Sequence, residues 1–179
     1  DSDGSVNTHV IKLIVVADEI KPEIVLEEPS FSYAPIENTD FTISLSAFDN
    51  VKVASLDAYI GYGVSYPNGD YTSPSFDEKI LTINNIPAED ALPISTENID
   101  TPVYSRKFHV PFLMDAISKV GLDANAFTVN HRVDLWIRMK AVDSNGNENE
   151  LDIRFPIRVD EKPIIDIAEP LPGKPVVEG

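Results

Sequence analysis

The amino-acid sequence predicts an all-β fold, an antiparallel two-sheet sandwich with one short crossover helix. Short apolar runs alternate with turns rich in Pro, Gly, Asn and Asp, and helical segments do not alternate regularly with them. Strand-rich chains of this kind build sandwiches, whereas regular strand–helix alternation builds parallel sheets. With 179 residues, 42% of them hydrophobic, the chain can bury the core of about one such domain.

Seven apolar runs are the predicted strands. In the second run Phe41, Ile43 and Leu45 alternate with polar residues, which is the period of two expected for a half-buried strand. The sixth run, 131–143, has the same period, so one face of each strand is expected in the core. In chain order the runs read EIVLEEP, DFTISLSAFDN, VASLDAYIGYGVSY, EKILTINNI, SRKFHVPF, HRVDLWIRMKAVD and LDIRFPIRV.

The segment 111–120 has a helical pattern instead. Pro111 occupies a plausible first position, and Leu113, either Ala116 or Ile117, and Val120 share one face at helical spacing. Gly121 can end the helix. A short crossover helix is therefore predicted between the fifth and sixth strands.

The segment 1–29 resembles the segment 143–170. With a single gap at Ile20, both contain a turn, a strand, an acidic pair and a Lys-Pro dipeptide in the same order, and Asp18 aligns with Asp160. The offset of about 140 residues far exceeds the roughly 20 to 50 residues of solenoid repeats. Each repeat unit is therefore expected to be a self-contained domain.

This repeat predicts three parts of the chain. Residues 1–20 are the last strand of an upstream repeat, or a donor strand, followed by a linker. Residues 21–160 form one complete sandwich, and residues 161–179 are a linker and the start of a next repeat. The apolar segment 9–16 needs strand neighbours, which the same chain, a neighbouring copy or an upstream module would supply.

The charge and the cysteine content restrict the partners. With 30 acidic and 14 basic residues, the formal net charge of -16 repels nucleic acids and anionic lipids, so neither is an expected partner. No cysteine is present, which excludes disulfides and thiolate metal sites. The sequence contains no apolar run long enough to span a membrane.

Three short motifs carry a family resemblance: KPEI or KPII at the opening of a unit, AFDN (47–50), and KAVDSNGNEN (140–149). Their combination resembles bacterial immunoglobulin-like and cadherin-like tandem repeat domains of cell-surface proteins, particularly Bacteroidota surface lipoproteins. The resemblance covers residues 21–160. It implies an immunoglobulin-like antiparallel β-sandwich, an extracellular location at the bacterial cell surface, and a spacer, adhesive or glycan-system function.

Calcium is one candidate ligand. The turn 143–149 places oxygen-bearing side chains at every second position, namely Asp143, Asn145, Asn147 and Asn149. The pattern differs from an EF-hand, and the alternative is a hairpin whose Asp and Asn side chains cap their own backbone. Asp160 and Glu161 lie in the linker where cadherin-like repeats gather calcium-binding carboxylates, and a solvated linker is the alternative there.

A glycan is the second candidate ligand. Tyr66 and Tyr71 flank a loop that also contains Asn68 and Asp70, and exposed tyrosines beside such polar groups can stack on a sugar. Alternatively, these tyrosines close one end of the sandwich core. Neighbouring repeats of the same protein and other surface proteins are the remaining expected partners.

No catalytic residues are predicted. The three histidines lack HExxH spacing, and the sequence contains no GxSxG or P-loop motif. A spatial pair of carboxylates for glycoside hydrolysis stays open, because such pairs leave no local pattern. The predicted function is a non-enzymatic structural or spacer module of a repetitive extracellular surface protein, whether in a fibre or in a larger surface complex. The alternative is a carbohydrate-binding or adhesive module of a surface glycan-utilisation system.

Overall fold

Seven strands and one helix form the part of the chain that the computed structural model describes, namely residues 11, 12, 14, 16–30, 32–88, 102–123 and 131–161. Each strand falls on one of the seven predicted runs. The elements are β1 (Glu23–Glu28), β2 (Thr39–Phe48), β3 (Val53–Ser65), β4 (Glu78–Ile86), β5 (Tyr104–Val110), α1 (Leu113–Lys119), β6 (Arg132–Asp143) and β7 (Glu148–Pro156).

The strands form two antiparallel sheets with the orders β1-β2-β5 and β4-β3-β6-β7. The fourth strand pairs with the third rather than with the fifth, which gives a three-plus-four distribution. The predicted all-β, immunoglobulin-like antiparallel sandwich with one short helix is confirmed.

The apolar faces of the strands meet between the two sheets. Ile43 and Leu45 on β2 and Leu135 and Ile137 on β6 are fully buried, as their alternation predicts. Phe41 contacts Phe155 on β7 edge-to-face, with 5.5 Å between the ring centroids. Because the chain has no cysteine, this packing rather than a disulfide joins the two sheets.

The helix α1 crosses between β5 and β6 and inserts Ala116 and Ile117 into the core. Its N-cap residue, Phe112, provides no capping side chain. Instead Glu37, which is distant in sequence, accepts a hydrogen bond from the Leu113 N–H at 2.7 Å. Gly121 follows the helix with φ of 72°, so the predicted terminator is confirmed.

The strand registers place the two connections of the module at opposite ends. Glu23 pairs with Phe48, and Val53 pairs with Asp143, so the start of β1 lies beside the β2–β3 and β6–β7 turns. We call this the upstream end. At the downstream end, Pro156 closes β7 and Ile36 bridges Arg158.

The structure describes only parts of the two predicted terminal segments. Of the apolar segment 9–16, residues 9, 10, 13 and 15 lie outside the described residues, and Ile11, Ile14 and Val16 are exposed. Of the predicted next repeat, only Glu161 is described. The donor-strand and tandem-repeat hypotheses therefore stay predictions.

The outer face of the four-stranded sheet is covered by the segment 71–76. A Cβ atom on Gly61 would lie 2.5 Å from the Ser75 carbonyl oxygen, and one on Gly63 would lie 2.8 Å from the Thr72 carbonyl oxygen. Both glycines thus permit a close approach that any other residue would obstruct. Trp136 lies on this face, partly covered by this segment and not by a helix.

The substitution Gly61→Ala should therefore displace the segment 71–76. Overpacking of this kind costs about 1 to 3 kcal/mol of the free energy of unfolding, which urea denaturation would measure. The fluorescence of Trp136, the single tryptophan, should shift to longer wavelength as its cover moves. Asn84→Ala, at an exposed position on β4, is the control and should leave the emission unchanged. An unshifted emission for Gly61→Ala would contradict the proposed contact.

Candidate functional site

The carboxylate of Asp143 organises the β6–β7 turn at the upstream end. Its Oδ1 accepts hydrogen bonds from the backbone N–H groups of Asn145 and Asn147, both at 2.8 Å. Its Oδ2 accepts the Asn147 side-chain Nδ2 at 2.7 Å. Gly146 adopts φ of 92°, which the turn requires. This is the hairpin geometry in which the polar side chains cap their own backbone.

The same hydrogen bonds determine the charge state of Asp143. Burial alone would raise the pKa of this carboxyl. The donors from the Asn147 side chain and from the backbone of Asn147, Asn145 and Gly146 outweigh burial and hold the pKa below its ordinary value. Asp143 is therefore a buried, ionised carboxylate at neutral pH.

The three asparagines of the turn also hold the preceding linker. Asn145 Nδ2 donates to Asp18 Oδ2 at 3.1 Å, and Asn147 Nδ2 donates to the Asp18 backbone oxygen at 3.1 Å. Asn149 Nδ2 donates to the Pro22 carbonyl at 2.9 Å. We call these contacts the linker clamp. They join segments about 127 residues apart in the chain.

Asp49 completes a group of three carboxylates at the upstream end. One oxygen each from Asp18, Asp49 and Asp143 lies within 4.8 Å of the other two. Asp49 follows β2 and is 4% exposed. Its Oδ1 accepts the Val51 N–H at 3.0 Å, whereas its buried Oδ2 has no hydrogen-bond partner among the described residues. The cluster therefore contains a buried acceptor that is not satisfied.

The predicted calcium residues divide between the two ends of the module. The three asparagines of this set lie at the upstream end, where their side-chain nitrogens donate to the linker and form the linker clamp: Asn145, Asn147 and Asn149. Asp160 lies at the downstream end, where its backbone N–H donates to Glu37 Oε1 at 3.1 Å. Glu161 lies in the same area, beside Ile36 and Arg158. The structure thus separates Asp160 and Glu161 from Asp143.

The predicted glycan residues do not converge on one surface. Tyr66 packs against the core and against His131, with 5.1 Å between the ring centroids. Tyr71, which is 53% exposed, lies on Trp136 at 5.3 Å on the outer face. Asn68 and Asp70 bond to each other within the turn, with Asn68 Nδ2 2.7 Å from Asp70 Oδ2. The polar groups of Asn68 and Asp70 therefore stabilise the turn.

Sequence reasoning missed two acidic residues. Asp49 is part of the AFDN motif, which supports only the family resemblance, although its position directly after an apolar strand is a signal for a buried acid. Glu37 joins α1 to the chain after β7 through its two carboxylate oxygens. No local pattern indicates this role, because its partners lie 76 and 123 residues away.

Comparison with known proteins supplies no family. No protein-family model matches the chain, and no curated protein matches it. Within the described ranges, no helix is long and apolar enough to cross a membrane. The two antiparallel sheets and their strand order define the class of the protein, an immunoglobulin-like β-sandwich module.

Several solved structures are similar to the chain. Fibronectin(III)-like modules of CbhA from Clostridium thermocellum match with a TM-score of 0.44 and 11% identity, over 82% of this chain and 53% of that one. The sporulation control protein Spo0M from Bacillus subtilis matches with a TM-score of 0.39 and 10% identity, over 76% and 48%. Murine CRIg matches with a TM-score of 0.34 and 13% identity, over 78% and 99%. The chain thus spans about half the length of the first two.

The depressed pKa of Asp143 predicts a pH-dependent effect of the substitution Asp143→Asn. A carboxyl whose pKa is lowered by folding stabilises the native state above its unfolded pKa of about 3.9, and this contribution disappears as the pH falls through the folded pKa. In EDTA at pH 7, Asp143→Asn should lower the free energy of unfolding by about 1 to 2 kcal/mol. Urea denaturation at several pH values measures this.

The difference between Asp143→Asn and the parent chain should narrow below about pH 4. Glu28→Gln is the control, since Glu28 is an exposed carboxylate on β1. The free energy of unfolding of this variant should equal that of the parent chain at each pH. An equal loss for Asp143→Asn at pH 7 and pH 3 would show that the charge of Asp143 is irrelevant.

Proposed function

We propose that the chain is a non-enzymatic structural module of a repetitive extracellular surface protein, a spacer that fixes the distance and orientation of its neighbours. The observation that supports this most strongly is the arrangement of its connections. The chain joins the sandwich at the upstream end and leaves it at the downstream end, and the backbone is hydrogen-bonded to the sandwich at both. A module connected in this way fixes the orientation of the chain segments that precede and follow it.

The upstream connection is held by the linker clamp. Asn147 and Asn149 donate to carbonyl oxygens of Asp18 and Pro22, so they fix the backbone rather than only a side chain. Asp18 Oδ1 also accepts the Ile20 N–H at 3.1 Å, which shapes the linker locally. Rotation of the linker relative to the sandwich would break these bonds together.

The downstream connection is held by Glu37 and its neighbours. The Glu37 N–H donates to the Arg158 carbonyl at 2.9 Å, and the Arg158 N–H donates to the Pro35 carbonyl at 2.8 Å. The Glu37 carboxylate binds both the Asp160 N–H and the N-terminus of α1. Because this carboxylate is buried, the loss of either partner would leave an unsatisfied charge.

The dimensions of the sandwich suit a spacer. The longest strands, β3 and β6, contain 13 and 12 residues, which span about 40 Å at roughly 3.3 Å per residue. The sequence match between the two ends of the chain places Asp160 where Asp18 stands one unit earlier. In a repeat array, Asp160 would meet the clamp of a following module as Asp18 meets the clamp of this one.

The surface setting rests on the family resemblance of residues 21–160. Bacterial repeat modules of this type lie outside the cell and contact neighbouring repeats or other surface proteins. The carbohydrate-binding alternative has less support. Tyr66 packs against the core and Tyr71 lies on Trp136, while Asn68 and Asp70 bond to each other within their turn.

A spacer with clamped connections should have an ordered upstream linker. In ¹⁵N relaxation measurements in EDTA, the amides of Asp18 and Ile20 should have order parameters of about 0.85, as strand amides do. Asn147→Ala removes the bonds from its side chain to Asp18 and Asp143 and should lower the values at Asp18 and Ile20. Asn84→Ala, at an exposed position on β4, is the matched control and should leave them unchanged.

Order parameters below about 0.6 for Asp18 and Ile20 in the parent chain would contradict the spacer proposal, since the linker would then move independently of the sandwich. Sugar-dependent chemical-shift changes around Tyr71 that Tyr71→Ala abolishes would favour the carbohydrate-binding alternative instead.

A further inference from the structure

We propose that Asp18, Asp49 and Asp143 form a calcium site, and that the cation fastens the upstream linker to the sandwich. The inference deepens the proposed spacer function and rests on it, because one of the three ligands belongs to the linker. The site differs from the calcium set that the sequence suggested: only Asp143 is common to both.

The spacing of the three carboxylates fits calcium. Their oxygens lie within 4.8 Å of one another. Calcium binds oxygen at about 2.3 to 2.6 Å, so ligand oxygens on opposite sides of the ion are about 4.6 to 5.2 Å apart. Magnesium dehydrates reluctantly and is usually bound through only one or two carboxylates, so a set of three carboxylates favours calcium. Three carboxylates without histidine or cysteine favour a hard cation over zinc.

The unsatisfied oxygen of Asp49 points independently to a ligand. Asp49 is 4% exposed, and its Oδ2 accepts no hydrogen bond from the described residues. A buried carboxylate oxygen normally has a partner, because burying an unpaired acceptor is costly. Within the described ranges, none of the ion pairs involves Asp18, Asp49 or Asp143. A cation between the three side chains would supply the missing partner.

The asparagines around the cluster orient its carboxylates. Asn145 and Asn50 donate to the two oxygens of Asp18, at 3.1 and 3.4 Å, and Asn147 donates to Asp143 Oδ2. These bonds aim neutral amides at the carboxylates and leave the charges uncompensated. Because the bonds also fix Asp18 on the sandwich, all three ligands are in place before a cation arrives, which lowers the entropic cost of binding.

A cation that binds all three carboxylates joins the linker to the sandwich, because Asp18 belongs to the linker whereas Asp49 and Asp143 belong to the sandwich. Cation binding and docking of the linker on the sandwich are therefore coupled. Calcium prefers the docked linker, because only that state supplies Asp18, and by reciprocity bound calcium stabilises the docked state. Extracellular modules bind calcium with dissociation constants on the order of 10⁻⁴ to 10⁻³ M, which matches external calcium concentrations rather than cytosolic ones.

The test is isothermal titration calorimetry of the chelator-treated chain with calcium chloride. We expect one binding event per chain, at least tenfold weaker binding of magnesium, and at least a tenfold loss of calcium affinity in both Asp49→Asn and Asp18→Asn. Asp18 lies outside the strands, so Asp18→Asn tests the site without disturbing the core. Asp134→Asn is the matched control, because Asp134 is equally buried on β6 but lies near its downstream end. It should bind calcium as the parent chain does.

The outcomes separate this inference from the spacer proposal. The absence of calcium binding up to about 10 mM, or an unchanged affinity in Asp18→Asn and Asp49→Asn, overturns the calcium site. An ordered linker in EDTA would then still support the spacer function through the clamp alone. A linker that is mobile in EDTA overturns the spacer proposal, whatever the calorimetry shows.

Discussion

The buried carboxylate of Asp143 is the constraint on which the upstream end depends. A charge removed from water must be given hydrogen-bond donors, and the turn after β6 provides them by folding its own backbone and the Asn147 side chain around the carboxylate. The same conformation presents Asn145, Asn147 and Asn149 to the linker. The requirement to satisfy one charge therefore shapes the turn, and the turn holds the preceding chain segment.

Glu37 has a related role at the downstream end. Its buried carboxylate is shared between the N-terminus of α1 and the backbone of Asp160, so the crossover helix and the outgoing chain depend on one side chain. Each end of the sandwich thus uses a buried acid to attach a connection. Part of the acidic excess is therefore structural, because buried carboxylates such as these hold the connections in place.

The strands and the helix could be predicted because their signals are local. Alternation identifies the core faces of β2 and β6, and the glycine after α1 marks its end. Contacts between distant parts of the chain leave no such pattern. Asp18, Asp49 and Asp143 meet only because the sandwich brings the linker and two turns to one end. The period of two in the turn 143–149 singles out Asp143, yet it does not reveal that the neighbouring asparagines donate hydrogen bonds there. The loop that partly covers Trp136 likewise depends on two glycines in another strand.

The upstream linker and the sandwich should move as one body. Residual dipolar couplings of the parent chain, weakly aligned in solution, test it directly. The N–H couplings of Asp18, Glu19 and Ile20 should fit the same alignment tensor as the strand amides of β2, β3 and β6. Couplings averaged towards zero in these three residues, beside full couplings in the strands, would show that the linker moves freely and would contradict the account.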